Sequence, residues 1–536
     1  MNIVSLRAEY FEQAGQIATG SPNFCTNCHS CLNIYSSKNI TFNQNEAKWI
    51  CEFCSNQNIL QIDQEEIPKN EVVTYILASE NPKVEEIKAS PISNDDPTII
   101  FCIDLSGSMD CTIPNPGGKI TNNIMAGILK NPQYFSRLEC VKIAILGQLS
   151  NLAKNVPNAK VGFVAFGNEV LIYGDKASLE KEDIISGNIL DNYETLIEKA
   201  APFAKTHFNS SITKILPALQ NTVKLMSTNG CTALGPALCV STSIASKGSP
   251  GSKVIICTDG LANVGIGSVE GQASQNSQIA KSFYSKLGDY AKHSGVVISI
   301  ITIASSECRL DLLSPTVNLT NGDIIKVSPL DLDKNFAEIL SEKLIATNAA
   351  VEVHLQKAFM FTNEEETALK SEKSVMVKEI GNATKDTIIT FEYDIKDSNE
   401  LKNQNIDKEQ IKEIIFQAQI SFTGMDKKKC IRSITKRQEI ATDIEEFKKN
   451  IKNNEIINEH AHQQAFKFAA KGDMLGAQKQ VAQISQNFEG QFNPQQMNEI
   501  NELNNDFSEE IQVNKGKDIR SDKMETRLNK MKKNKK

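Results

Sequence analysis

Phe101-Cys102-Ile103-Asp104-Leu105-Ser106-Gly107-Ser108-Met109 runs from an apolar strand straight into an Asp-x-Ser-x-Ser loop. That order places one carboxylate and two hydroxyls at the carboxyl end of a buried strand, where open α/β sheets bind ligands. All three are hard oxygen donors of the kind Mg²⁺ prefers. Alone, the run is a polar loop after a strand. Its meaning depends on whether the rest of the chain supplies further ligands.

Working outward, apolar strands alternate with helical patterns across 97–348, the signature of a doubly wound, Rossmann-like parallel sheet. Thr98–Ile103 is the first strand, and Val141, Ile145, Leu149 and Leu152 recur at helical spacing behind it. Lys160–Tyr173 reads as a hairpin turning at Gly167-Asn168. Helices are expected over Thr232–Ala245 and Ser274–Lys292, and buried strands over Lys253–Cys257 and Gly295–Ile303. Two of these segments end in oxygen donors. Asn229-Gly-Cys-Thr232-Ala-Leu-Gly235 puts a hydroxyl on a loop that opens a helix, and Ile256-Cys-Thr258-Asp259-Gly260-x-x-Asn263 ends a strand in a carboxylate and a turn. Each is separately explained as a helix cap or a turn.

Taken together, Asp104, Ser106, Ser108, Thr232 and Asp259 resemble the metal-ion-dependent adhesion site (MIDAS) of von Willebrand factor A (vWA) domains. The resemblance implies that Ser106, Ser108 and Thr232 give direct oxygens to Mg²⁺ or Mn²⁺, while the aspartates act through water or exchange between shells. A partner's Asp or Glu would then complete the octahedron. Such a site recognises a partner without catalysing a reaction, and no catalytic residue is expected. Pro116-Gly117-Gly118-Lys119 does not satisfy the phosphate loop G-x4-G-K-[S/T], because Ile113 and Ile120 stand at its Gly and Ser/Thr positions. The six histidines form no metal-spaced group, and Cys102, Cys257 and Cys308 read as small core residues.

Ahead of this domain, Cys25-x-x-Cys28 and Cys51-x-x-Cys54 are two knuckles 22 residues apart, the spacing of a closed tetrahedral four-cysteine zinc site. The polar segment between them needs such a staple to fold. His29 and Cys31 lie close by, but their spacing fits the two-knuckle geometry less well. Asn33, the Trp49-Ile50 before the second knuckle and Asn58 after it make this ribbon similar to that of the COPII coat cargo-adaptor family. That family implies a zinc ribbon, a vWA-fold trunk, a β-sandwich and a helical domain, with a trunk whose metal site is generally degraded. Here all five positions are filled.

The fold class expected is therefore multidomain α/β: zinc ribbon at 20–62, a strand at 71–80 joining the sandwich, the vWA domain at 97–348, an antiparallel β-sandwich at 350–436 and a helical region at 440–511. Val351–Leu355, Thr387–Tyr393 and Ile414–Phe422 alternate as half-buried strands. His354 is expected to lie exposed on its strand. Glu459–Phe468 and Leu475–Phe488 are expected to pair around Gly472-Asp473. Residues 515–536 carry ten Lys/Arg against three Asp/Glu, a net +7 within a chain of −7, and read as a basic flexible tail with weak affinity for an anionic membrane surface.

No signal peptide or apolar span is seen, so thirteen cysteines point to metal binding or burial in a cytoplasmic protein, and the charge balance gives no reason to expect nucleic acid. Similar TDGxANxG vWA sequences also occur joined to a circularly permuted Ras-like GTPase, of which this chain would resemble the vWA part. Two functions follow. One is a non-enzymatic interaction module that binds an acidic residue of a partner through a Mg-loaded MIDAS. The other is a COPII-like vesicle-coat or trafficking subunit that binds through trunk and sandwich surfaces.

Overall fold

The computed structural model describes residues 2–8, 15–43, 46–77, 97–114, 134–176, 179–269, 274–303, 307–440, 454–487, 492–513 and 520–533. Contacts divide the chain into two compact units, one of residues 92–344 with 512–530, the other of residues 1–91, 345–511 and 531–536.

The unit of residues 92–344 is built on a seven-stranded sheet. Its strands are β1 (Thr98–Asp104), β2 (Lys160–Phe166), β3 (Val170–Tyr173), β4 (Ile184–Ile185), β5 (Lys253–Thr258), β6 (Val297–Ile303) and β7 (Ile324–Val327). The spatial order is β4-β3-β2-β1-β5-β6-β7. From β2 across to β7 neighbours run parallel, while β3 and β4 pair antiparallel at the edge. After β1 the chain builds first on one side (β2) and later on the other (β5), so the switch point lies at the carboxyl ends of β1 and β5.

Every residue of β1, β5 and β6 is buried. The reason is that both faces carry helices, which is why these strands read as continuous apolar runs. Ile100 and Cys102 face a layer containing α2 (Leu234–Ala245), α3 (Ser274–His293) and α4 (Leu310–Thr320). Ile99, Phe101 and Ile103 face α1 (Arg137–Asn155) and α5 (Leu332–Ser341). Helix α1 starts at a capping box in which Ser136 Oγ accepts from Glu139 N and Glu139 Oε2 accepts from Ser136 N. Val141, Ile145 and Leu149 along it are fully buried, each worth roughly 1.5–3 kcal/mol of transfer free energy.

The expectation of a flexible tail at 515–536 is corrected over its described part, 520–533. Asp522–Lys533 forms a helix, α6. The Asp522 carboxylate accepts from the N–H groups of Cys308 (2.5 Å) and Leu310 (2.8 Å) at the start of α4. Asn529 bonds both Ile324 N–H (3.0 Å) and Gly322 C=O (3.2 Å) beside β7. Met524 and Leu528 are buried. Free backbone groups at a helix start and a sheet edge are thus satisfied by a segment whose overall charge alone suggested solvent.

The other unit holds the ribbon, two sheets and paired helices. Its larger sheet includes Val375–Thr384, Leu344–Leu355, Glu413–Gly424 and Lys429–Glu439, and Val72–Ile76 joins antiparallel to the last of these. A three-stranded sheet of Asn2–Arg7, Ile388–Ile395 and Phe359–Thr362 closes over it. The shared core contains Phe361 and Phe391 edge to face at 5.5 Å, and Tyr393 and Phe416 at 5.4 Å. His354 is not exposed as expected but fully buried, bonded to Gln419 (3.1 Å) and Glu352 (3.1 Å). Phe53 of the second knuckle packs near its ring, so this face of the strand is covered by the ribbon. Helices Asn454–Ala470 and Met474–Asn487 meet around Gly472, whose φ of +88° suits glycine. Ala461, Ala465, Ala469 and Ala477 are buried without remainder, which lets the two helices approach closely.

The glycine-rich Pro116–Lys119 segment lies outside the described residues. Among the described residues no helix is long and apolar enough to cross a membrane.

Candidate metal centres

The two knuckles are near copies of each other. Cys25 N–H donates to Ser30 O (2.8 Å) and His29 N–H to Cys25 O (3.0 Å). In the second, Cys51 N–H donates to Asn56 O (2.9 Å) and Ser55 N–H to Cys51 O (2.9 Å). His29 and Ser55 both sit at φ +61°. Each knuckle thereby turns its two sulfurs inward, and the four Sγ atoms lie within 4.8 Å of one another. The set is compatible with a structural zinc, with no position left open for substrate. The sulfurs are coupled: hydrogen bonds from Cys28 and Cys51 push the Cys54 thiol down, while those from Cys28 and Cys54 push the Cys51 thiol up.

The residues flanking the knuckles brace the sulfurs. Asn58 Nδ2 donates to Cys25 Sγ at 3.5 Å, while its Oδ1 accepts from Thr26 N and Oγ1, both at 2.9 Å. Trp49 is fully buried, with Nε1 donating to Glu52 at 3.3 Å. Asn33 caps the short helix Ile34–Lys38. Ser30, which no motif singled out, lies 3.2 Å from Cys28 Sγ and 3.1 Å from Cys51 Sγ. Cys31 stays outside the cluster, its N–H held by Gln417 Oε1 at 2.6 Å and its thiol pushed up by burial.

The oxygen-donor site assembles from three loops above β1 and β5. Asn229 N–H donates to Leu105 O (2.6 Å), Gly107 N–H to Gly230 O (3.0 Å) and Ala233 N–H to Gly167 O (2.9 Å). Gly230 has φ +72°, and a Cβ there would stand 2.3 Å from the Asn168 amide, so only glycine fits this crossing. Asp104 is fully buried. Its Oδ1 accepts from Ser106 N–H (2.7 Å) and its Oδ2 from Thr258 Oγ1 (2.5 Å). Burial pushes its carboxyl up to about 6 despite those bonds, and Asp259 adds to the rise.

Ser106 Oγ lies 3.0 Å from Ser108 Oγ, which in turn donates to Asp259 Oδ1 at 2.5 Å. A Cβ on Gly260 would be 3.6 Å from Ser108 Oγ and 3.9 Å from Thr232 Oγ1, so both hydroxyls face the same small space. Thr232 N–H donates to Asn263 Oδ1 (2.7 Å) and Asn263 N–H to Thr232 O (3.1 Å), which fixes that hydroxyl's loop. Ser106, Thr232, Asp104 and Asp259 are buried, and Ser108 is the exposed member. The structure therefore brings all five sequence-selected residues to one place.

It also adds one that sequence did not suggest. The Arg137 guanidinium, from the first residue of α1, makes an ion pair with Asp259 Oδ2 and reaches Ser108 O at 3.5 Å. As a set of neutral hydroxyls with two carboxylates, the donors fit a hard divalent cation. Ser106, Ser108 and Thr232, with Asp104 and Asp259 behind them, are the residues that would hold it.

Residues 134–346 match the family model of the Sec23/Sec24 trunk domain. Over 97% of its length the chain superposes on 69% of the human COPII-coat protein Sec24c, with a TM-score of 0.53 and 14% identity. The chain has a Sec24-like fold. A von Willebrand factor type A protein from Catenulispora acidiphila matches 73% of the chain and 80% of its own length, with a TM-score of 0.39 and 13% identity. In sequence, the chain is 30% identical over 482 residues to Circularly permutated Ras protein 1 of Dictyostelium discoideum, covering 88% of this chain and 54% of the relative. The chain thus spans about half the length of that relative.

Proposed function

We propose that the protein is a non-enzymatic, coat-type scaffold of the cytoplasm that binds protein partners through the surfaces of its trunk and sandwich. The observation that carries this reading is the extent of the Sec24-like fold, which runs through ribbon, trunk, sandwich and helices instead of stopping at the trunk. The ribbon supports it as a stapled module whose zinc stabilises structure and does no chemistry. The curated relative bears a Ras name, but this chain lacks a G-x4-G-K-[S/T] loop, so no nucleotide hydrolysis is assigned to it.

A second reading rests on the convergence of Ser106, Ser108 and Thr232 with two carboxylates. In it, a divalent cation bound there recruits an Asp or Glu of a partner. A cation coordinated largely by neutral hydroxyls keeps enough positive charge to attract an external carboxylate.

Cofractionation of the zinc-loaded full chain with vesicle-coat subunits, compared for wild type and the Ser106→Ala/Ser108→Ala double variant and with Mg²⁺ supplied or omitted, separates the two. Cofractionation that survives both treatments supports the scaffold reading. Cofractionation lost in both supports the cation-bridged one, and a chain that never sediments with coat subunits overturns the first.

A further inference from the structure

Among the described residues, a cation of the chain itself is paired into the candidate oxygen site. Arg137 opens α1 directly after its cap Ser136, where the positive end of the helix dipole disfavours a guanidinium. A basic residue at this end needs a compensating anion, and Asp259 supplies it. The Arg137 side chain is 12% exposed and that of Asp259 is fully buried, so the pair sits largely out of water, where charges couple strongly. The Arg137 backbone N–H donates to Cys111 O at 3.1 Å, anchoring the start of α1 to the loop that follows Ser108.

The bonding around Asp259 is the decisive point. Oδ1 accepts from Ser108 Oγ and Oδ2 from Arg137. The guanidinium also bonds Ser108 O, so it spans the same two residues that a metal would use. A divalent ion beside Ser108 and the buried Asp259 carboxylate would face this cation within a few ångströms, and the repulsion opposes both staying.

We infer that Arg137 is a tethered counter-cation that competes with the divalent ion, so the site has an arginine-closed and a metal-loaded state. Loading requires the guanidinium to leave Asp259 Oδ2. The inference rests on the reading of the site as a divalent-cation site.

Mn²⁺ binding to the zinc-loaded full chain, measured by calorimetry, tests it. Arg137→Gln should bind Mn²⁺ about tenfold more tightly than wild type, the consequence of removing one competing charge interaction. Adding Ser106→Ala/Ser108→Ala to Arg137→Gln should abolish binding. Equal or weaker Mn²⁺ affinity in a folded Arg137→Gln overturns the role of Arg137 alone. Absence of Mn²⁺ binding in both folded proteins, or binding that survives the serine substitutions, overturns the cation-site reading and the inference with it. A measurement on the unaltered chain covers the case in which Arg137→Gln does not fold. Labelling of Arg137 by p-hydroxyphenylglyoxal, read by mass spectrometry, should rise when Mn²⁺ is added. Labelling that does not change with Mn²⁺ overturns the inference.

Discussion

The zinc knuckles and the oxygen-donor site solve the same problem, holding like charges together, in opposite ways. The knuckles gather four soft sulfurs from two local turns that share one backbone pattern. A zinc held there would replace several thiol protons and tie the two turns together, which would make the metal part of the fold. The oxygen site gathers hydroxyls and two carboxylates from three loops far apart in sequence, and an arginine of the chain already balances Asp259. It closes without outside help.

The largest effect expected from breaking this contrast comes at the knuckles. Zinc-dependent folding of such a site is worth about 10 kcal/mol or more. Cys51→Ser should reduce bound zinc, measured by elemental analysis, to near zero and unfold the ribbon. The chain's single tryptophan reports it directly: Trp49 is fully buried beside the site, so its emission should shift to the red. Retained zinc, or unshifted emission, would break the claim that metal holds this module together.

Next in size is Asp259→Ala, which leaves the Arg137 guanidinium largely buried and unpaired. It should cost about 3–5 kcal/mol of stability in urea unfolding. A loss below about 1 kcal/mol would mean that the pair is not the site's internal balance. Asn58→Ala comes third. It removes the donor to Cys25 Sγ and should weaken zinc about 10–100-fold in chelator competition, with the trunk's unfolding unchanged. The smallest effect belongs to Ser136→Ala. Losing the cap that starts α1 should cost about 1 kcal/mol and make Arg137 more reactive toward arginine reagents.

How readable each centre is in sequence follows from the same contrast. Cys25, Cys28, Cys51 and Cys54 act through turns of four residues, so spacing alone specifies their geometry. Asp104, Ser106 and Ser108 are legible because a strand buried on both faces must end in a loop at the switch point. Thr232 and Asp259 take their meaning only from resemblance, since each alone fits a cap or a turn. Arg137 leaves no signal: a Ser-Arg at a helix start is ordinary, and its role depends on where α1 meets β5. His354 is misread because strand alternation cannot say that another module covers the outer face. In α6 the apolar stripe Met524, Leu528 and Met531 is present but is outweighed by charge.

By itself, then, the sequence determined what local rules control: the knuckles, the strand and helix order, and the hydroxyl-rich loop after β1. The tertiary structure alone decided which cation faces Asp259, what covers His354, and where Asp522 and Asn529 find backbone partners. The physical reason is range. Turn geometry and periodicity are set within a few residues, whereas counter-charges and hydrogen-bond partners are chosen by whichever groups folding brings out of water together.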